Sequence, residues 1–210
     1  MKKYIKLLEE LELSDTSFLK VKKTIFLLSG QSDFTHSELS AEQKTLLSIC
    51  GKNGYSVVDV GFPYNQKHNF SECSRADIIL AAYRNGLQFY RCIVDDHYKK
   101  LLAKHLQPVF TFSEKIVIIC QSSGLNMLRV ALPLLNIKSN LKITVIALGP
   151  VALGHFRDER VKLIVVKGYY DWVSFFDRQK VDYWVRCSHL GYCTCEKLQK
   201  IIGGVLQYEA

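Results

Sequence analysis

Six short apolar runs, separated by stretches with helical spacing, constrain this chain more than any other feature. Thr24 to Ser29 (TIFLLS), Tyr55 to Val60 (YSVVDV), Lys115 to Cys120 (KIVIIC), Lys142 to Leu148 (KITVIAL), Val161 to Val166 (VKLIVV) and Val181 to Cys187 are short and β-prone. The continuously apolar runs suit strands buried on both faces, as in a parallel sheet covered by helices. Between them, Glu38 to Lys52 turns Leu39, Leu46, Leu47, Ile49 and Cys50 to one side. Helical patterning also runs from Ser74, with Asp77 three residues on, to about Leu106, with a break expected near Gly86. Further helices are expected over Ser123 to Leu135 and Cys193 to Leu206. Strands alternating with helices predict a three-layer α/β/α sandwich on a mainly parallel sheet of about six strands, ordered 2-1-3-4-5-6.

Two stretches lie outside this alternation. Tyr4, Ile5, Leu7, Leu8 and Leu11 recur at helical spacing, so residues 2 to 13 of the N-terminal segment 1–14 form an amphipathic helix. Its lysines would suit a membrane surface, but Glu9, Glu10 and Glu12 favour a helix docked on the domain. The second stretch, 61–113, begins as a polar loop around Pro63 and continues as a helical insertion or connection. Its aromatics (Phe62, Tyr64, Phe70, Tyr83, Phe89, Tyr90) can pack helices or shape a pocket. With 210 residues, the chain has the length of one domain, 1–210.

The net charge of +8 gives a positive outer field that attracts anions. The basic residues are scattered, however, and no stretch interleaves arginine with aromatics, so no nucleic-acid partner is expected. Seven cysteines, an odd number spread through core runs, read as reduced thiols and a cytoplasmic location. Charged residues break up the apolar N-terminus, so no secretory leader is expected, and no window suits a transmembrane segment.

Ligands in open α/β sheets bind at the carboxyl ends of the strands. At the end of the third run stands Cys120-Gln121-Ser122-Ser123-Gly124, a variant of the G-x-S-x-G nucleophile elbow. The sharp turn needs small residues two before and two after the nucleophile. Centred on Ser122 these are Cys120 and Gly124, whereas centred on Ser123 they would be Gln121 and Leu125. Ser122 is therefore the candidate nucleophile. After the fifth run comes Lys167-Gly168-Tyr169-Tyr170-Asp171, and after the sixth Cys187-Ser188-His189-Leu190-Gly191. Asp171 is the candidate acid and His189 the candidate base. Alone, Asp171 could equally cap a helix around Trp172 to Phe176.

The order Ser, Asp, His, each on a strand end, is that of a large group of enzymes. Residues 24 to 206 resemble a minimal α/β-hydrolase, a superfamily of esterases, lipases, thioesterases and peptidases. The resemblance implies that fold, truncated at the N-terminus, where a helix replaces two strands. It implies a serine hydrolase acting on an acyl ester or thioester, small or carrier-tethered, with no cofactor and no metal. It also implies an oxyanion hole built from the backbone amides of Ser123 and of Gln31, in the loop Ser29-Gly30-Gln31-Ser32. The connection from Gly149 to Arg160 is too short for a lid, so the site is expected to be open.

Three other readings use the same residues. Acyl transfer to an acceptor other than water needs the same triad. A binding protein could keep the scaffold without activity. Cys187, His189, Cys193 and Cys195 crowd together and are zinc-ligand types, but Cys-x-His-x3-Cys-x-Cys matches no standard zinc module.

Overall fold

The computed structural model describes residues 1–31, 33–51, 53–65, 67–68 and 78–209. Helix α1 (Lys2–Glu10) and a 3-10 segment (Leu13–Leu19) precede strand β1 (Lys23–Ser29). Then follow α2 (Ala41–Gly51), β2 (Ser56–Val57), α3 (Ile78–Val94), α4 (Asp96–Phe112), β3 (Lys115–Gln121) and α5 (Gly124–Ala131). The chain continues through β4 (Lys142–Leu148), β5 (Val161–Tyr170), β6 (Tyr183–Ser188) and α6 (Glu196–Glu209). The six strands form one parallel sheet in the order β2-β1-β3-β4-β5-β6.

Strand pleating explains why the runs are apolar throughout, because successive side chains point to opposite faces. Phe26 and Leu28, Ile116, Ile118 and Cys120, and Val145 and Ala147 share one core with residues of α1, α4 and α5. Ile25 and Leu27, Val117 and Ile119, and Ile146 and Leu148 share the other with α2 and α6. Each fully buried leucine or isoleucine contributes about 1.5–3 kcal/mol relative to exposure. The result is a three-layer α/β/α sandwich.

Several boundaries differ from expectation. The break expected near Gly86 falls instead at Asp95, whose side chain caps α4 by accepting from the Tyr98 amide at 3.1 Å and pairs with Arg91 at 3.0 Å. The second strand keeps only Ser56 and Val57, although the Val58 amide still donates to the Ile25 carbonyl at 2.9 Å. Strand β5 extends to Tyr170, so Asp171 begins the loop immediately after it. Helix α5 stops at Ala131 and passes into a 3-10 turn (Leu132–Leu134). The helix start expected at Ser74 and Asp77 and the aromatic Phe70 lie outside the described residues.

Helix α1 is docked on the domain. Tyr4 and Leu8 are buried, and Lys104 donates to the carbonyls of Leu8, Glu9 and Leu11 at 3.0–3.2 Å. A cation at the open carbonyls of a helix C-terminus is favourable. Among the described residues, no helix is long and apolar enough to cross a membrane.

Candidate active site

Strand β3 lies inside the sheet, between β1 and β4, and its carboxyl end turns sharply at Ser122. Ser122 has φ +54°, in the left-handed region that non-glycine residues rarely enter. The Ser122 amide donates to the Leu148 carbonyl at 3.1 Å, and its carbonyl accepts from the Val151 amide at 3.0 Å. These bonds hold the turn to the end of β4. Gly124 is required by the same turn: a Cβ there would lie 1.9 Å from the Leu28 carbonyl oxygen.

His189 lies in the loop after β6. Its Nε2 is 2.9 Å from Ser122 Oγ and its Nδ1 is 2.9 Å from Asp171 Oδ1. The fold thus brings together side chains 67 positions apart (Ser122 and His189) and 18 apart (Asp171 and His189), with the imidazole between hydroxyl and carboxylate.

Asp171 is fully enclosed at its side chain, and every donor around it points at the carboxylate. Oδ1 also accepts from the amides of Val173 and Ser174, both at 3.1 Å. Oδ2 accepts from the hydroxyls of Ser174 and Tyr192, both at 2.7 Å. Burial alone would raise the pKa of this carboxyl. The hydrogen bonds from His189, Tyr192 and Ser174 outweigh it and hold the group well below the usual carboxylate range. Asp171 therefore caps its own loop and faces His189 at once. Gly149, at φ +49°, makes room for it, since a Cβ there would sit 2.3 Å from Asp171 Oδ2.

The other candidate acids are committed elsewhere. Asp177 accepts from the Ala152 amide at 3.0 Å and faces Lys167, while Asp182 accepts from the Val165 amide at 2.8 Å. Lys167 is buried and donates to the carbonyls of Ser174 and Asp177 at 2.9 and 2.7 Å, which ties down the loop that Asp171 opens.

Sequence reasoning missed Tyr192, Lys167 and the side chains that α3 contributes. Tyr192 also accepts from the Gly168 amide at 2.7 Å, so one phenol joins β5 to the acid. Burial, followed by the Asp171 carboxylate, pushes that phenol well up, which keeps it a donor.

The expected oxyanion donors fare differently. Ser123 opens α5 beside Ser122. The Gln31 amide, expected as the second donor, instead donates to Gln88 Oε1 of α3 at 2.9 Å. A single N–H so engaged in a buried bond is not free for a ligand.

Cys187, Cys193 and Cys195 are free thiols, and His189 is directed at Ser122 and Asp171. Among the described residues, no group of three or more His, Cys, Asp or Glu side chains could hold a metal ion. Burial pushes the Cys187 thiol up to about 12 and Cys120 higher still, so neither is a ready thiolate.

Ser122 and His189 open into a cavity of about 680 Å³. Its walls are largely apolar, with Ala81, Ala82 and Phe89 from α3 facing Val151, Val173 and Leu190. Trp172 and Leu190 at its edge are 79% and 74% exposed, so nothing among the described residues covers the mouth. The connection 149–160 carries no helix or strand. Of the aromatics in 61–113, Phe62 and Tyr64 are core residues, Tyr83 and Tyr90 are exposed, and Phe89 lines the cavity.

No protein-family model matches the chain, and no curated protein matches it. Solved structures do. A Xanthomonas campestris protein assigned to the alpha/beta hydrolase superfamily aligns over 90% of this chain and 99% of its own, with TM-score 0.50 and 10% identity. An Agrobacterium tumefaciens protein of unknown function, assigned to the same superfamily, covers 90% and 84%, with TM-score 0.45 and 11% identity. A carboxylesterase from Mesorhizobium loti covers 89% of each chain, with TM-score 0.41 and 16% identity. The first likeness concerns architecture alone, and with the parallel six-strand sheet it identifies the fold of this chain as that of the α/β-hydrolases.

Proposed function

We propose that this protein is a serine hydrolase that cleaves acyl esters or thioesters through Ser122, His189 and Asp171. The observation that carries the proposal is the bridging imidazole, 2.9 Å from both Ser122 Oγ and Asp171 Oδ1 at the floor of an apolar cavity. Ser122 Oγ attacks the acyl carbon while its proton passes to His189 Nε2. The carbonyl π electrons move onto oxygen, and the Ser123 amide at the start of α5 donates to that oxyanion. Collapse expels the alcohol or thiol, which takes the proton from His189, and leaves Ser122 acylated. Water then repeats the sequence and releases the acid. Asp171 keeps its charge throughout, holds the imidazole with Nε2 toward Ser122, and stabilises the imidazolium. The apolar walls suit an aliphatic or aromatic acyl group, and the uncovered mouth leaves room for a bulky or carrier-tethered leaving group.

A fluorophosphonate probe tests this directly, because labelling needs an activated serine and not merely a pocket. The wild-type protein is expected to label, Ser122→Ala to lose labelling with the fold intact, and Ser123→Ala to retain it. A folded wild type that neither labels nor hydrolyses p-nitrophenyl butyrate would instead favour a non-catalytic scaffold. Rapid labelling without ester hydrolysis, restored by an added alcohol or thiol acceptor, would favour acyl transfer.

A further inference from the structure

With the Gln31 amide bonded to Gln88, the site needs another donor opposite Ser123, and α3 brings one. Asn85 projects from α3 into the wall of the cavity that holds Ser122 and His189. Its carboxamide lies over Gly30 at the end of β1. A Cβ on residue 30 would come within 2.6 Å of Asn85 Oδ1 and 2.3 Å of Ser123 Oγ, so glycine is what lets these two groups converge. Asn85 Oδ1 and Ser123 Oγ are both buried without a hydrogen-bond partner. Among the described residues, no hydrogen bond holds the Asn85 carboxamide to the fold. Its neighbour one turn along, Gln88, behaves in the opposite way and uses both ends, toward the Gln31 amide and the Tyr98 hydroxyl. A buried polar group left unpaired in a native fold calls for an explanation. Oδ1 can only accept, so its lack of a partner leaves the carboxamide unanchored, and the donor it can offer to the cavity beside Ser122 and the N-terminus of α5 is its amino end.

We infer that the Asn85 carboxamide is the second oxyanion donor, taking the place of the Gln31 amide. This rests on the serine-hydrolase reading and deepens it. With Oδ1 packed against Gly30, the amino end of Asn85 is presented to the cavity, where it donates to the substrate oxygen as that oxygen gains charge. The Ser123 amide serves the same oxygen from the other side. Gly30 acts by leaving space, so it is a positioning residue and Asn85 a catalytic one. The arrangement makes α3, outside the sheet, part of the catalytic centre.

The test uses the full-length protein, with p-nitrophenyl butyrate as substrate and a butylboronic acid as tetrahedral analogue. Loss of one oxyanion donor lowers kcat roughly a hundred-fold or more, with KM changed by about two-fold at most. Asn85→Ala is expected to behave so and to weaken the boronate by a similar factor, with thermal unfolding near that of wild type. Asn85→Asp, nearly isosteric but a carboxylate facing the oxyanion, is expected to be no more active than Asn85→Ala. Gly30→Ala, which displaces the carboxamide without removing it, reports independently should Asn85→Ala fold poorly, and is expected to lower kcat in the same manner. If Asn85→Ala keeps kcat within about three-fold of wild type, or raises KM alone, the inference fails while the triad stands, since such effects mark uniform binding. If wild type itself neither labels nor turns over, the hydrolase reading fails and this inference with it.

Discussion

Replacing Asp171 by asparagine removes one charge and leaves almost every atom in place. Oδ1 remains a carbonyl oxygen for His189 and for the amides of Val173 and Ser174, and since those two amides can only donate, they keep the carboxamide oxygen on this side. The new amino group takes the place of Oδ2, opposite the hydroxyls of Ser174 and Tyr192, which can rotate to accept. Loss of the charge-assisted bonds costs about 1–3 kcal/mol of stability. The catalytic loss is larger. At 2.9 Å, unit charges at an effective dielectric of about 20 attract by roughly 6 kcal/mol. The partly exposed His189 is screened by solvent, so about 4–5 kcal/mol is a fair share to lose when the imidazolium forms. At 1.36 kcal/mol per decade, that lowers kcat by roughly 10³–10⁴. Steady-state hydrolysis of p-nitrophenyl butyrate beside thermal unfolding measures both quantities. A folded Asp171→Asn protein within about ten-fold of wild-type kcat would refute the electrostatic role assigned to this carboxylate.

Three further outcomes are expected. The Asp171 carboxyl titrates lower when folded than when unfolded, so its stabilisation is complete above the unfolded pKa of about 3.9 and is lost as pH falls through the folded value. Wild-type urea midpoints should therefore drop below about pH 4, and Asp171→Asn should flatten that part of the curve. Ser122→Gly should abolish activity yet raise stability by about 1 kcal/mol, because glycine adopts the positive φ without strain; a lower melting temperature would count against strain at the elbow. Gly124→Ala should cost at least about 1–3 kcal/mol and suppress probe labelling, since its Cβ meets the Leu28 carbonyl; normal labelling would show that the elbow tolerates bulk.

The sheet was legible in the sequence because strands buried on both faces must be apolar throughout, and β1, β3 and β4 are. The second run misled because β2 pairs only with β1 and its alternation outlasts its ladder. Gly86 suggested a break, but a glycine in a helix costs only about 1 kcal/mol. Asp95 makes the break because its side chain competes for the Tyr98 amide. At the site, Ser122, Asp171 and His189 could be picked out because each follows a strand that can be recognised locally. Gln31 could not be judged that way, since its amide is engaged by Gln88, 57 positions later. Tyr192 and Asn85 carry no local signal either. They enter the site through the packing of whole elements, which motif spacing does not encode.

The three members of the site are not held equally. Ser122 is fixed by the backbone, through a turn bonded to the end of β4 and followed at once by α5. His189 follows the edge strand β6, between the exposed residues Ser188 and Leu190. Its ring is bonded at both nitrogens, to Ser122 and to Asp171. Its direction comes from Asp171, and Asp171 is held by Val173, Ser174 and Tyr192 independently of the histidine. Tyr192 is in turn tied to Gly168, and Lys167 beside it anchors the loop after the acid. Orientation therefore passes from β5 to the carboxylate and from the carboxylate to the imidazole. An imidazole aligned by a carboxylate that is itself held by three other groups is expected to keep Nε2 on Ser122 while a ligand enters, which an imidazole fixed only by its own loop would not ensure.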